Sequence, residues 1–234
     1  MIWGRPDEKF LSSGRLLFIG LTLMTQMFLI LPCSYYVGNY LPMTTAYDKN
    51  DLDMAVHTLK RGGLILYPTD TIWGIGCDAT NAEAVRRVFE LKRRSDAKAM
   101  LVLIDHDAKL QGLMREVPPI AYDLIDIAVK PLTIIYPDAR NVAKELIAED
   151  GSLGIRISRE VFSRDLCRSL NRPLVSTSAN VSGETSPSCF SDISPIIRDG
   201  VDYIVSYRQS DKSKTRPSQI VKLAVDGQVK VIRE

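Results

Sequence analysis

The sequence has few of the residues from which metal sites and disulfide frameworks are built. Its 234 residues include two histidines and four cysteines. The cysteines lie far apart without paired metal-ligand spacing, and two histidines argue against a His-rich metal centre. We therefore expect free thiols, no protein-borne metal site and no disulfide-stapled fold.

The sequence also lacks an excess of charge of either sign. Lys and Arg total 30 and Asp and Glu total 28, so the formal net charge is +2. This balance gives no global electrostatic reason to coat nucleic acid or membrane, although it is compatible with a local basic pocket. A hydrophobic content of 45% and a charged content of 25% are ordinary for globular proteins and exclude global disorder.

Several sequence signatures of catalysis are missing as well. There is no GxxxxGK[ST] phosphate-binding loop and no GxSxG nucleophile elbow, and no third glycine follows Gly74 and Gly76 at dinucleotide-binding spacing. Neither His57 nor His106 lies beside a serine or cysteine in a hydrolase pattern. The sequence therefore excludes a P-loop enzyme and argues against a hydrolytic triad.

An uncharged apolar run near the N terminus has three interpretations. Residues 16–31 follow three basic residues, at positions 5, 9 and 15. A membrane-spanning helix is the first interpretation, although the run is short for one. A signal peptide is the second, and it fits loosely. The third is that the run lies upstream of the true start of the protein, at Met43. We favour the last interpretation, and so expect an apolar extension over residues 1–42 and one catalytic domain over residues 43–234.

The rest of the chain alternates predicted strands and helices. Strands are predicted over residues 64–67, 100–104, 132–136, 153–157, 173–177, 203–206, 219–223 and 229–232. Helices are predicted over residues 51–60, 119–128, 161–170 and 191–198, with Asn50 capping the first, and a further helix follows a cap at Thr80 or Asn81. This alternation predicts an α/β fold around a sheet buried on both faces.

Three polar clusters follow the apolar segments. Residues 67–76 (YPTDTIWGIG) place hydroxyls and a carboxylate after a strand, where α/β sheets often bind ligands. Residues 92–98 (KRRSDAK) bring four cations that suit a polyphosphate, and residues 175–183 (VSTSANVSG) bring hydroxyl donors that suit oxygen-rich ligands. Taken one at a time, these segments are equally typical of a tight turn, a solvated helix end and a hydroxyl-rich turn.

Together the three clusters resemble one family, the YrdC/TsaC proteins, which are threonylcarbamoyl-AMP synthases. The resemblance covers about residues 51–221. It rests on YPTDTIWGIGCDA, PLTIIY, the GIR of residues 154–156, RPSQIV, the K-x-R of Lys92 and Arg94, and the S-x-N of Ser178 and Asn180. Two departures are Ser95 in place of the proline usual after K-x-R, and Lys130 in place of the glycine of a Pro-Gly-Pro segment.

The resemblance implies a twisted mixed sheet with flanking helices around a basic cavity. It implies that L-threonine and bicarbonate combine as a carbamate, which attacks the α-phosphate of ATP to give threonylcarbamoyl-AMP and pyrophosphate. Magnesium is expected with the phosphates. A threonylcarbamoyl transferase complex would then use the product to modify tRNA in the cytoplasm. Direct binding of double-stranded RNA by the chain is left open, and no membrane is expected for the core.

The resemblance also implies roles for particular residues. Adenylation needs positioning and charge neutralisation rather than an enzyme nucleophile. Lys92 and Arg94 are expected to be catalytic, as exposed cations at a helix end. Threonine and bicarbonate are expected to contact Thr69, Arg156 and Ser178, and ATP to contact Lys92, Arg94, Thr133, Ser176, Ser178, Asn180 and Ser218. The alternative is a non-catalytic paralogue of the YciO type that binds nucleotide or RNA.

Overall fold

A nine-stranded mixed sheet organises the part of the chain that the structure describes. The computed structural model describes residues 46–93, 100–213 and 217–234, so the expected boundary between residues 42 and 43 lies outside it and stays a prediction. The strands are β1 (Ile65–Tyr67), β2 (Gly74–Gly76), β3 (Leu101–Ile104), β4 (Leu132–Tyr136), β5 (Leu153–Ile157), β6 (Leu174–Ser178), β7 (Tyr203–Ile204), β8 (Gln219–Leu223) and β9 (Val229–Arg233).

The strand order differs from the order along the chain. The strands lie side by side as β7-β1-β2-β6-β3-β5-β4-β8-β9. The pairs β1/β7, β3/β5 and β4/β8 are parallel, and the remaining neighbours are antiparallel. This mixture confirms the expected sheet type and places β6, β3 and β5 in its middle.

Six α-helices flank the sheet within the described ranges. They are α1 (Lys49–Lys60), α2 (Ala82–Leu91), α3 (Leu110–Leu113), α4 (Ile120–Ile127), α5 (Val161–Leu170) and α6 (Pro195–Asp199), with short 3-10 turns at Asp107–Lys109, Lys144–Leu146 and Phe190–Asp192. No helix in this part of the chain is long and apolar enough to cross a membrane.

The two faces of the sheet carry separate hydrophobic clusters, as the apolar strands predict. Neighbouring residues of a strand point to opposite faces, so Val102 packs in one cluster and Leu103 in the other. Val88 of α2 belongs to the first cluster, whereas Leu59 of α1 and Phe162 of α5 belong to the second. Burial on both faces explains why the strands read as nearly continuous apolar runs.

Two local predictions differ from the structure. Helix α1 begins earlier than predicted, because the carboxylate of Asp48 rather than Asn50 accepts the first free amide, the N–H of Asn50. Asn81 caps α2 as predicted. The helix predicted over residues 191–198 is divided, because Pro195 disfavours helical backbone at Ser194, which is extended with a ψ of 148°.

Strand β2 was not predicted, since its sequence is Gly-Ile-Gly. A Cβ at Gly76 would lie 2.7 Å from the Tyr67 ring and 3.1 Å from the carbonyl oxygen of Val175. The glycine therefore lets β2 fit between β1 and β6. Close packing of the sheet, rather than contact with a ligand, accounts for this glycine.

Asp51 holds α1 against the segment that follows β7. Its carboxylate is 3% exposed and accepts hydrogen bonds from Tyr203 Oη at 2.7 Å, from Ser206 Oγ at 2.8 Å, and from the amides of Ser206 and Tyr207 at 3.0 and 2.9 Å. A buried carboxylate with this many donors joins two distant parts of the chain.

We expect Asp51→Asn to lower the free energy of unfolding by about 2–3 kcal/mol, because an amide nitrogen would face N–H and O–H donors. Urea unfolding of the full chain, followed by circular dichroism, measures the change. Asp53→Asn, at an exposed position of the same helix, is the matched control and should change stability by less than about 0.5 kcal/mol. Equal effects of the two substitutions would contradict the account.

Candidate active site

A cavity of about 150 Å³ lies over the middle of the sheet, on the face that carries Leu101. Among the predicted site residues, it is lined by Thr69, Arg156, Ser176, Ser178 and Ser218. Residues from four separate regions of the sequence therefore meet in one place. The described lining contains two arginines and no aspartate or glutamate, which agrees with the expected basic cavity.

The register of the strands brings these side chains together. Ser178 of β6 lies opposite Gly74 of β2, and Ser176 lies opposite Leu101 of β3. Arg156 of β5 is paired with both Leu103 and Thr133 on its two neighbours. Directly paired residues point to the same face, so the polar ends of several strands share one surface.

The hydroxyl of Thr69 shapes the loop that bounds the cavity. It donates to the carbonyl oxygen of Ile72 at 2.8 Å, accepts from the amide of Thr71 at 3.0 Å, and lies 3.0 Å from the Thr71 hydroxyl. The Thr69 carbonyl accepts from Arg208 Nη1 at 3.2 Å. These bonds fix the loop after β1, so the residue acts first as a scaffold for the cavity wall.

Thr133 stands behind Ser218 rather than among the residues that line the cavity. The two hydroxyls are 2.9 Å apart and both residues are buried. Thr133 therefore orients Ser218, whose own side chain faces the cavity. The predicted contact between Thr133 and ATP stays a prediction.

Lys92 is buried, which corrects the expectation of an exposed cation at a helix end. It directly follows α2 and is 1% exposed. Its Nζ donates to the carbonyl oxygens of Ser178 at 2.5 Å and Asn180 at 2.7 Å. The ammonium thus ties the end of α2 to the end of β6. Arg94, its predicted partner, lies outside the described residues.

The side chain of Asn180 bonds to its own loop. Its Nδ2 donates to the carbonyl oxygens of Val181 at 3.0 Å and Glu184 at 2.7 Å. Its Oδ1 is buried and accepts no hydrogen bond from the described residues. The amide thereby shapes the turn after β6, and the predicted contact with ATP stays a prediction.

Arg156 forms a buried ion pair with Asp70. Its Nη2 lies 3.1 Å from Asp70 Oδ1, and the two side chains are 4% and 9% exposed. Burial raises the pKa of Asp70, and the Arg156 guanidinium opposes that rise. The pair links the loop after β1 to β5, and the sequence analysis assigned Asp70 no role of its own.

Arg233 is a cavity residue that the sequence analysis missed. Its Nε donates to the Ser218 carbonyl oxygen at 2.8 Å, and its Nη2 lies 3.4 Å from Ser218 Oγ. Partial burial of its guanidinium lowers the pKa of Arg233, and the nearby Arg156 lowers it further. A register shift between Ile220 and Val221 pairs Arg233 with Ile220. The sequence signal was weak, being one basic residue at the end of the last apolar strand.

The described residues contain no group of three or more His, Cys, Asp and Glu side chains that could hold a metal ion. Cys77, Cys167 and Cys189 are free thiols. The polar side chains in the described lining of the cavity are hydroxyls and two arginines.

Comparison with known sequences identifies the family. The Sua5/YciO/YrdC family model, described as telomere recombination, matches residues 57–234. A protein named threonylcarbamoyl-AMP synthase from Thiobacillus denitrificans is 37% identical over 145 residues, which cover 61% of this chain and 77% of that protein. Another of that name, from Xanthomonas euvesicatoria, is 34% identical over 165 residues, which cover 68% and 86% of the two chains.

Solved structures agree on the fold. Escherichia coli YciO superposes with a TM-score of 0.70 at 22% identity, covering 80% of this chain and 90% of that one. Pyrococcus abyssi Sua5 complexed with L-threonine gives 0.66 at 25% identity, covering 74% of this chain and 50% of the other, so the chain spans half of that protein. The expected YrdC-like α/β fold is confirmed, and the chain belongs to the Sua5/YciO/YrdC family.

Proposed function

We propose that the chain is a threonylcarbamoyl-AMP synthase, a nucleotidyltransferase that makes threonylcarbamoyl-AMP and pyrophosphate from L-threonine, bicarbonate and ATP. The observation that carries the proposal is the cavity itself, which combines two arginines with several hydroxyls and has no carboxylate in its described lining. The curated relatives of that name, at 34–39% identity, support the same reading.

The arrangement suits a reaction between two anions. In the proposed step, a carbamate oxygen of N-carboxythreonine bonds to the α-phosphorus of ATP. The bond between the α-phosphorus and the oxygen that bridges it to the β-phosphorus breaks, and pyrophosphate leaves. Both reactants are negatively charged, so the protein must hold them together and neutralise their charge. Arg156 and Arg233 supply fixed positive charge at the cavity, and no covalent enzyme intermediate is needed.

Threonine and bicarbonate are assigned to the part of the cavity near Thr69, Arg156 and Ser178. The guanidinium of Arg156 can bind a carboxylate with two parallel hydrogen bonds. ATP is assigned to Ser176, Ser178 and Ser218, with Arg233 facing the same space. The Pyrococcus Sua5 structure, described as complexed with L-threonine, supports an amino-acid site in this fold.

The remaining predicted residues act from behind the cavity in this proposal. Thr133 orients Ser218, and Asn180 shapes the loop after β6. Lys92 holds the carbonyls of Ser178 and Asn180, so it supports the loop next to the nucleotide. Arg94 retains its proposed role on the phosphates.

Magnesium is proposed to arrive with the triphosphate. Because no carboxylate lines the described cavity, the phosphate oxygens and water would supply its ligands. The ion would neutralise phosphate charge. The residues that line the described cavity therefore favour a metal ion that is carried by the substrate over a metal site that is built by the protein.

We place the reaction in the cytoplasm, where ATP and tRNA are available, and assign the product to a threonylcarbamoyl transferase complex. The reactive mixed anhydride in threonylcarbamoyl-AMP requires such an acceptor step. Direct RNA binding by this chain stays a prediction. No feature of the described residues favours the non-catalytic YciO-type alternative.

The full chain should release pyrophosphate from ATP and Mg²⁺ only when threonine and bicarbonate are both present. A coupled pyrophosphate assay, with omission of each substrate in turn, measures this dependence. Arg156→Ala should lower kcat/KM at least about 100-fold, because one cation of the cavity is lost. Arg168→Ala, at an exposed position of α5, should leave the rate unchanged. ATP binding without any release would instead support the binding paralogue.

Lys92→Ala should lower stability as well as activity. Two carbonyl acceptors would lose a charged donor inside the protein, and the free energy of unfolding should fall by about 2–3 kcal/mol. Urea unfolding of the full chain tests this, with the exposed Lys60→Ala as the control that should stay near wild type. Lost turnover with unchanged stability would mean that Lys92 serves only as a ligand for substrate.

A further inference from the structure

The cavity holds two arginines that repel each other. Arg156 and Arg233 both line it, and the proximity of Arg156 lowers the pKa of Arg233. Each guanidinium is drawn to a different acceptor. Arg233 bonds to the carbonyl and hydroxyl of Ser218, whereas Arg156 faces the carboxylate of Asp70. The two acceptors thereby hold the like charges on separate sides of one space.

The carboxylate of Asp70 interacts most strongly with Arg156, and Arg159 also lowers its pKa. Neither of its oxygens accepts a hydrogen bond from the described residues. It borders a second cavity of about 230 Å³, whose walls include Ile134 and Ile155 and also the cations Lys130 and Arg159. The burial of both side chains, at 4% and 9% exposure, strengthens the attraction between Asp70 and Arg156.

The guanidinium of Arg156 depends on this contact. Its Nε is buried without a hydrogen-bond partner among the described residues. If the Asp70 charge were removed, repulsion from Arg233 would act on a group with a weaker anchor. The guanidinium would then leave the orientation that it now has at the cavity, which Thr69 and Ser178 also line.

We propose that Asp70 is a positioning residue that holds the Arg156 guanidinium in the orientation that binds the threonine carboxylate. Asp70 does not touch substrate and acts through Arg156. The inference rests on the proposed function, because it takes threonine as the ligand of Arg156. It also explains why Thr69 and Asp70 are adjacent in sequence. The loop after β1 supplies a wall of the cavity through Thr69 and an anchor for Arg156 through Asp70.

A double-mutant cycle on the full chain tests the proposal. Asp70→Asn should raise the KM for threonine about 10-fold, with the KM for ATP changed less than about 3-fold. In an Arg156→Gln background the same substitution should change the threonine KM less than about 2-fold, because the group through which Asp70 acts is gone. Asp70→Glu keeps the charge and should restore most of the affinity for threonine.

Glu145→Gln is the matched control. It removes one carboxylate from an exposed ion pair with Arg86 and should leave both KM values unchanged. Thermal unfolding of every variant gives the folded fraction, by which each rate is corrected. Equal effects of Asp70→Asn with and without Arg156, or no rescue by a well-folded Asp70→Glu, would overturn the proposal.

The test separates this inference from the proposed function. Calorimetry also measures the Kd for threonine of the wild type and of every variant in the double-mutant cycle. A wild type that binds threonine but releases no pyrophosphate would contradict the synthase proposal alone. A wild type that binds no threonine and releases no pyrophosphate would overturn both.

Discussion

A cation that is buried in a protein must find an acceptor, and two such cations, Lys92 and Arg156, belong to this site together with the exposed Arg233. Lys92 binds the carbonyls of Ser178 and Asn180, Arg156 faces Asp70, and Arg233 binds Ser218. Each contact joins parts of the chain that are far apart in sequence, except the last, which joins neighbouring strands. Satisfying the cations therefore also builds the walls of the site.

This arrangement fixes positive charge before any substrate binds. The hydroxyls of Thr69 and Ser218 are already engaged with Thr71, Ile72 and Thr133, so they need little reorganisation. Fixed donors and charges stabilise a developing negative charge more effectively than mobile ones do. The same residues thus serve the fold and the proposed adenylation, which is why Lys92 cannot be treated as a surface cation.

Much of the fold could be predicted from local pattern. Strands over 132–136, 153–157 and 219–223 and the helix over 161–170 match the prediction, because apolar runs and amphipathic spacing mark them clearly. Strand β2 was not predicted because its sequence is Gly-Ile-Gly, in which Gly76 is required by close packing against Tyr67. The burial of Lys92 and the position of Arg233 were not predicted. Both depend on how distant strands pair and on a local register shift in β9, and a short stretch of sequence does not contain that information.

Hydrogen–deuterium exchange on the full chain, with and without ATP, Mg²⁺, bicarbonate and threonine, tests the location of the site most directly. If the cavity binds both substrates, exchange should slow in peptides that cover residues 68–76, 174–186 and 217–223, which carry most of its described lining. Slowing confined to other segments, such as residues 120–131 beside the second cavity, would contradict the account.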